Sequence, residues 1–160
     1  MRELRPGDFL ALTDILRQCG AFNEAELACA QELLEIVLKD PAQSDYRVAV
    51  TEEAGCVLGY ILFGPVPLTE GNYVIYWIAV APQGQGRGIG RRLLAHVEAL
   101  AVAEGARLIC LETSSQGSYQ RTRDFYTQAG YRLESRIGDF YRVGDDRLTY
   151  VKRFTCRGGA

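Results

Sequence analysis

Val80 to Leu94 reads VAPQGQGRGIGRRLL, with glycine at alternate positions 84, 86, 88 and 90, arginine at 87, 91 and 92, and an apolar run behind them. The residues before it, Tyr73 to Ala81, are apolar on both faces, as expected of a central strand covered on both sides, and Pro82 stops that strand. The residues after it, Ile89 to Glu104, place Leu93, Leu94, Val97, Leu100 and Ala101 at helical spacing, with Gly105 as C-terminal cap. A glycine-rich loop between a buried strand and a helix is an anion site. The first-turn N–H groups have no intrahelical acceptor, the helix dipole favours negative charge, and absent side chains let phosphate oxygens approach. The arginines add fork-shaped donors around it.

Two nucleotide registers fail here. A dinucleotide G-x-G-x-x-G begun at Gly84 meets Ile89 where glycine is required, and one begun at Gly86 meets Arg91. A P-loop requires Gly-Lys, which the sequence lacks.

Around this unit the pattern is that of one α/β (α+β) domain of 160 residues in the order ααβββαβαββ. Asp8 reads as the N-cap of a first helix carrying Phe9, Leu12, Ile15, Leu16 and Cys19, which Gly20 ends. Asn23 and Glu26 form a capping box for a second helix with Leu27, Ala30, Leu34, Val37 and Leu38 inward, closed by Pro41. Tyr46 to Thr51 and Cys56 to Phe63 read as a hairpin about Glu53-Ala54-Gly55. Leu108 to Leu111 is a further buried strand ending in Glu112-Thr113-Ser114-Ser115, and a short helix spans about Tyr119 to Ala129. Tyr131 to Ile137 and Leu148 to Phe154 close the sheet around a polar Gly144-Asp145-Asp146 turn, and residues 157–160 read as a frayed tail.

Composition limits the partners. Hydrophobic residues make up 48% and charged residues 24%, with 18 basic against 20 acidic side chains and a net charge of -2. Bulk attraction to nucleic acid or an anionic membrane is therefore not expected, and basic function is local to the loop. No apolar run approaches the ~18 residues of a membrane span, and Arg2-Glu3-Leu4-Arg5-Pro6 is no signal peptide. Five cysteines without CxxC spacing point to reduced thiols in a cytoplasmic setting, four of them in apolar runs as buried structural thiols. No metal constellation is present. His96 falls on a helix flank that is usually solvated, and Thr113, Ser114 and Ser115 lack the neighbouring base a nucleophile needs.

Gln85-x-x-Gly88-x-Gly90 resembles the acyl-coenzyme A pyrophosphate loop, Q/R-x-x-G-x-G/A, of the GCN5-related N-acetyltransferase (GNAT) superfamily. Trp77 to Pro82 resembles the family's central strand, which bulges and splays from its parallel neighbour, and Phe125-Tyr126-Thr127-Gln128-Ala129-Gly130-Tyr131 matches its second hallmark, a tyrosine helix before a glycine-aromatic strand start. The likeness runs from about Tyr46 to Phe154. Ile75 to Val80, Glu112 to Ser115 and Phe140 to Asp146 also resemble signatures of a bacterial-type acetyltransferase group within the superfamily.

The resemblance implies a GNAT-like mixed sheet with splayed central strands and transfer of an acetyl group from acetyl-CoA, as cosubstrate, to a primary amine by direct attack. A small amine or amino-acid-like acceptor is favoured over a protein N-terminus or lysine, and a homodimer stays open. Main-chain groups of Ile78, Ala79 and Val80 would hold the pantetheine arm. Gln85, Gly86, Arg87, Gly88, Ile89, Gly90 and Arg91 would hold the pyrophosphate. Tyr126 would protonate the leaving thiolate, with Tyr119, Arg123 and Tyr126 as one polar helix face. Tyr119 stands where the family often has a cofactor-contacting asparagine, and Tyr76-Trp77 where many members carry a glutamate base. Glu112, Asp139 and Glu70 are then the candidate carboxylates. Two other readings compete: a catalytically silent CoA-binding sensor, and an RNA-binding domain that the net charge disfavours.

Overall fold

The structure, a computed structural model, describes residues 1–20 and 22–155, so Cys156 and the C-terminal tail read from sequence lie outside it. Helices α1 (Phe9–Cys19), α2 (Glu24–Lys39), α3 (Ile89–Ala103) and α4 (Gln120–Gln128) flank one seven-stranded sheet. Its strands are β1 (Arg2–Glu3), β2 (Arg47–Glu53), β3 (Cys56–Pro65), β4 (Asn72–Val80), β5 (Leu108–Ser114), β6 (Arg132–Arg142) and β7 (Asp145–Arg153), ordered β1-β2-β3-β4-β5-β7-β6. β4 is thus the middle strand, as its two-sided apolar pattern predicts. Among the described residues only β4 and β5 pair in parallel, joined by the α3 crossover.

Two cores result. On one face Ile61, Phe63, Ile75, Leu93, Leu94, Val97, Ile109 and Tyr131 pack beneath α3 and α4. On the other Leu12, Leu16, Ala30, Leu34, Val50, Tyr60 and Leu62 pack beneath α1 and α2. The Asn23–Glu26 capping box forms, with both reciprocal hydrogen bonds. The β2–β3 hairpin turns at Ala54 and Gly55, both with positive φ as a two-residue hairpin turn needs.

Several local expectations are corrected. β1 is an additional strand, two residues long, paired with Ala49 and Val50. Asp8 stands at the N-cap of α1, as the sequence predicts, but its side chain bonds no α1 amide. It ends a 3-10 turn, Pro6–Asp8, and accepts from the Arg5 N–H and from both terminal nitrogens of Arg2. A buried carboxylate already serving a partly exposed arginine is not available to helix amides. Asp145 and Asp146 are not turn residues: they open β7 and are 7% exposed each. β5 continues through Ser114, and Tyr119 lies in a 3-10 turn (Gly117–Tyr119) ahead of α4. The four described cysteines are free thiols, yet Cys29 and Cys56 are exposed and Cys19 and Cys110 only partly buried.

Candidate active site

The site begins with an irregularity in β4. Against β3, Leu62 pairs with Trp77 and Phe63 with Ile75, so Tyr76 is an extra residue, a β-bulge. Its effect shows in the packing. Tyr73 and Ile75 face the α3/α4 core, and beyond the bulge the even-numbered Ile78 and Val80 take that face while Trp77 and Ala79 turn to the other. The bulge also ends the parallel ladder. β4 pairs with β5 only from Asn72↔Leu108 to Ile75↔Leu111, and Tyr76–Val80 parts from Glu112–Ser114. Along Ile78, Ala79 and Val80, β4 therefore has no strand partner on the β5 side, while its other edge stays bonded to β3 and the Val80 carbonyl accepts the Cys19 thiol at 3.6 Å.

A cleft of about 990 Å³ opens in the gap. Phe22, Glu26 and Cys29 bound it on the α2 side, Tyr76, Trp77 and Ile78 from β4, and Glu112, Thr113 and Ser114 from β5. Tyr119 and Tyr126 come from the α4 unit, and Tyr141, Arg142 and Asp145 from the β6–β7 hairpin.

The glycine loop follows β4 directly. Gly84 is buried, and a Cβ there would meet Ile89 Cδ1 at 2.8 Å, so glycine lets the loop pack on Ile89. Gly86 and Gly88 have φ of +72° and +73°, and a Cβ on either would meet nothing within 4 Å. Their absence of side chains answers to backbone conformation and to an open outer face, not to internal packing. Gly88 is the N-cap of α3. Arg92 N–H is the first to bond back, to Gly88 O at 3.0 Å, so the N–H groups from Gly86 to Arg91 donate to no main-chain carbonyl among the described residues. This is an open cradle of amides at a helix N-terminus, suited to a polyanion. Ile89 is 1% exposed, so only its main chain faces outward.

The loop's arginines are less free than their number suggests. Arg87 and Arg92 both bond Glu53 at the β2–β3 turn, at 2.6 and 2.7 Å, and their contacts, Arg92's foremost, hold the Glu53 carboxyl below its ordinary range. Arg91 donates to Gln128 O at 3.2 Å, tying α3 to the end of α4. Gln85 is exposed beside them.

Tyr126 is 5% exposed, packed edge-on against Tyr131 and tilted against Phe125, and borders the cleft. Burial alone raises its phenol well above the usual tyrosine range, so the hydroxyl is a proton carrier at neutral pH. Tyr119 reaches across the cleft to Glu26 Oε1 at 3.2 Å; burial first, then Glu26, pushes its phenol up to about 12. Arg123 does not share their face. It donates to Ser114 O, Gln116 O and Gln120 Oε1, locking the turn between β5 and α4.

Of the three carboxylates singled out by sequence, Glu112 reaches the cleft, 45% exposed and 3.3 Å from Arg147. Asp139 does not: it sits near the β6–β7 turn with φ +52°, accepts from the Gly144 N–H, and gives its own N–H to Asp146. Glu70 lies before β4, at the opposite end from the splay, where its carbonyl takes the Arg107 side chain. Asp145 and Tyr141, which border the cleft, escape the sequence reading. Both fall in the Phe140–Asp146 stretch, which carries no role by itself; the register of β7 on β5 brings the start of β7 beside Ser114. Among the described residues no His, Cys, Asp and Glu cluster is arranged to hold a metal, and no helix is long and apolar enough to cross a membrane.

A mixed sheet that parts beside a parallel neighbour, with an open amide cradle where the splayed strand meets its helix, defines an acyl-CoA-type transferase fold. Residues 9–131 match the model of the acetyltransferase (GNAT) family, and the chain belongs to that family. It is 35% identical over 115 residues to "IAA acetyltransferase" of Azospirillum brasilense, covering 70% of this chain and 69% of that protein. It superimposes on the crystal structure of a GNAT-family protein from Desulfovibrio desulfuricans with a TM-score of 0.91, 39% identity, and coverage of 95% and 96% of the two chains. The fold is also that of the PaiA N-acetyltransferase of Thermoplasma acidophilum in complex with coenzyme A, with a TM-score of 0.77, 17% identity, and coverage of 96% and 97%. The protein is an acetyl-CoA-dependent acyltransferase.

Proposed function

We propose that the chain is an N-acetyltransferase that moves the acetyl group of acetyl-CoA to a primary amine of a small acceptor, amino-acid-like amines included, by direct attack. The observation that carries this reading is the parting of β4 from β5 after Ile75, which opens a cleft bordered by Tyr126 and by Ile78, on the strand that leads into the amide cradle. Acetyl-CoA supplies the acyl group already activated as a thioester. Gly86 to Arg91 bind the pyrophosphate through their N–H groups, with Gln85 and the Arg91 guanidinium beside them. The edge of β4 on the β5 side, at Ile78, Ala79 and Val80, holds the pantetheine arm by main-chain hydrogen bonds and offers an N–H to the carbonyl oxygen as charge develops there. Tyr119 orients the arm, and Tyr126, which burial keeps protonated at neutral pH, gives its proton to the departing sulfur. Four free thiols agree with a reducing, cytoplasmic compartment.

The test is thiol release from acetyl-CoA against 2-phenylethylamine, 1,4-diaminobutane, glycine and lysine, with mass detection of product. N-acetylated product supports the reading. Acetyl-CoA binding without thiol release on any amine contradicts it and leaves a CoA-binding module.

A further inference from the structure

Three carboxylates border the cleft, and their surroundings separate them. Glu26 is engaged at both oxygens, Oε2 by the Asn23 N–H at 2.7 Å and Oε1 by Tyr119. Glu112 is half-exposed and paired with Arg147. Asp145 differs: its side chain is 9% exposed, and its Oδ1 accepts the Ser114 hydroxyl. Ser114 Oγ itself accepts the Gln116 N–H at 3.0 Å, which directs its single proton to Asp145. Among the described residues, the one partner of Asp145 Oδ2 is the Arg142 Nε, at 3.7 Å and on a side chain 72% exposed. A buried carboxylate is costly unless a cation or strong donors face it, and here one oxygen lacks both at close range. A second observation points the same way. Thr113 is 6% exposed, and its Oγ1, in the wall of the same cleft, has no hydrogen-bond partner among the described residues. Phe22, Tyr76, Trp77 and Tyr141 add aromatic faces to a wall that also carries Asn23, Gln116, Thr122 and the exposed Arg142. Aromatic faces around a buried carboxylate make a receptor for an organic cation.

Resting on the N-acetyltransferase reading above, we propose that Asp145 is the base of the reaction and the recognition group for the acceptor, a monocationic primary amine with an aromatic body. The amine enters as its ammonium ion, paired with Oδ2. Asp145 takes one ammonium proton and becomes a carboxylic acid. The freed nitrogen lone pair forms the C–N bond to the acetyl carbon, the C–S bond breaks, and the sulfur takes the Tyr126 proton. The second nitrogen proton returns to the Tyr126 oxygen, and Asp145 gives its proton to solvent, so the sum is amide, thiol and one released proton. Of the charged side chains that line the cleft, Glu26, Glu112 and Asp145 are acidic and Arg142 alone is basic, which disfavours a carboxylate on the acceptor.

Asp145→Asn keeps the side chain's shape and an acceptor for the Ser114 hydroxyl. The assay uses the whole chain, acetyl-CoA and 2-phenylethylamine, with melting and acetyl-CoA calorimetry on each variant. The expected result is a melting temperature and acetyl-CoA affinity near wild type, kcat at saturating amine lower by about 10²–10⁴-fold, and partial recovery in Asp145→Glu. Unchanged kcat in Asp145→Asn, or a loss confined to KM, overturns Asp145 as the base. A wild-type enzyme that acetylates glycine or lysine but not 2-phenylethylamine overturns the acceptor class and leaves the proposed function standing. A wild-type enzyme that acetylates no amine overturns both.

Discussion

Removing the Tyr126 hydroxyl separates chemistry from packing because of where that hydroxyl sits. The ring is 5% exposed, with centroids 5.2 Å from Phe125 and 5.8 Å from Tyr131, contacts that phenylalanine keeps. Burial is the sole cause of the raised phenol pKa, with no charge or hydrogen bond contributing. Tyr126→Phe therefore deletes a desolvated polar group without breaking an internal hydrogen bond. Stability should stay level or rise by up to ~1 kcal/mol, a shift of about 2–4 °C at most for a chain of this size. Turnover should fall by about 10²–10⁴-fold, the contribution of a positioned general acid. Thiol release at saturating substrates, calorimetry with acetyl-CoA and a melting curve measure the three quantities. Tyr60→Phe is the control. Its hydroxyl is buried with no partner among the described residues, but Tyr60 belongs to the α1/α2 core and does not border the cleft, so turnover should hold. Full turnover in Tyr126→Phe refutes the acid assignment. A turnover loss that follows loss of melting temperature or of acetyl-CoA affinity makes Tyr126 a packing residue.

Glu53→Gln should release Arg87 and Arg92 toward the cradle and remove a negative charge beside it. Acetyl-CoA should then bind more tightly at low ionic strength, the gain shrinking as salt screens it; calorimetry at two salt concentrations checks this. Gly84→Ala forces a Cβ to 2.8 Å from Ile89 Cδ1 and 3.3 Å from Leu58 O, and should cost about 1–3 kcal/mol by overpacking, seen as a lower melting temperature. Asp8 has a pKa depressed chiefly by its hydrogen bonds to Arg2, so its stabilising contribution is complete above the ordinary aspartate value of about 3.9 and disappears as pH falls through the lower folded value. Asp8→Asn should therefore lower stability at neutral pH and flatten the acid limb of a melting-temperature profile.

The parts legible in the sequence are those whose signals are local. The central strand, the glycine loop, α3 and the Asn23–Glu26 box each carry their pattern within a dozen residues, and each forms where that pattern places it. What escaped is decided by pairing between distant segments. Asp145 follows Gly144 and looks like a turn residue; only the register that puts Arg147 opposite Ser114 buries it beside the cleft. Asp8 looks like a helix cap because an arginine partner at Arg2 is invisible until β1 pairs with β2. The charge of the loop was overcounted for the same reason, since Glu53 reaches Arg87 and Arg92 across the hairpin. Glu70 looks adjacent to β4 in the chain, yet it precedes the strand while the cleft opens beyond its midpoint.

The cradle itself is tested most directly by titrating acetyl-CoA into the wild-type chain and into a Gly86→Val, Gly88→Val variant that remains folded. Both positions hold φ near +70°, which valine resists, so the amides from Gly86 to Arg91 lose their common aim while the cleft and Tyr126 stay in place. Acetyl-CoA affinity should drop by at least a few kcal/mol, because several charge-assisted hydrogen bonds of about 1.5–3 kcal/mol each are lost together. Equal affinity in the two proteins would contradict the account and place the pyrophosphate elsewhere.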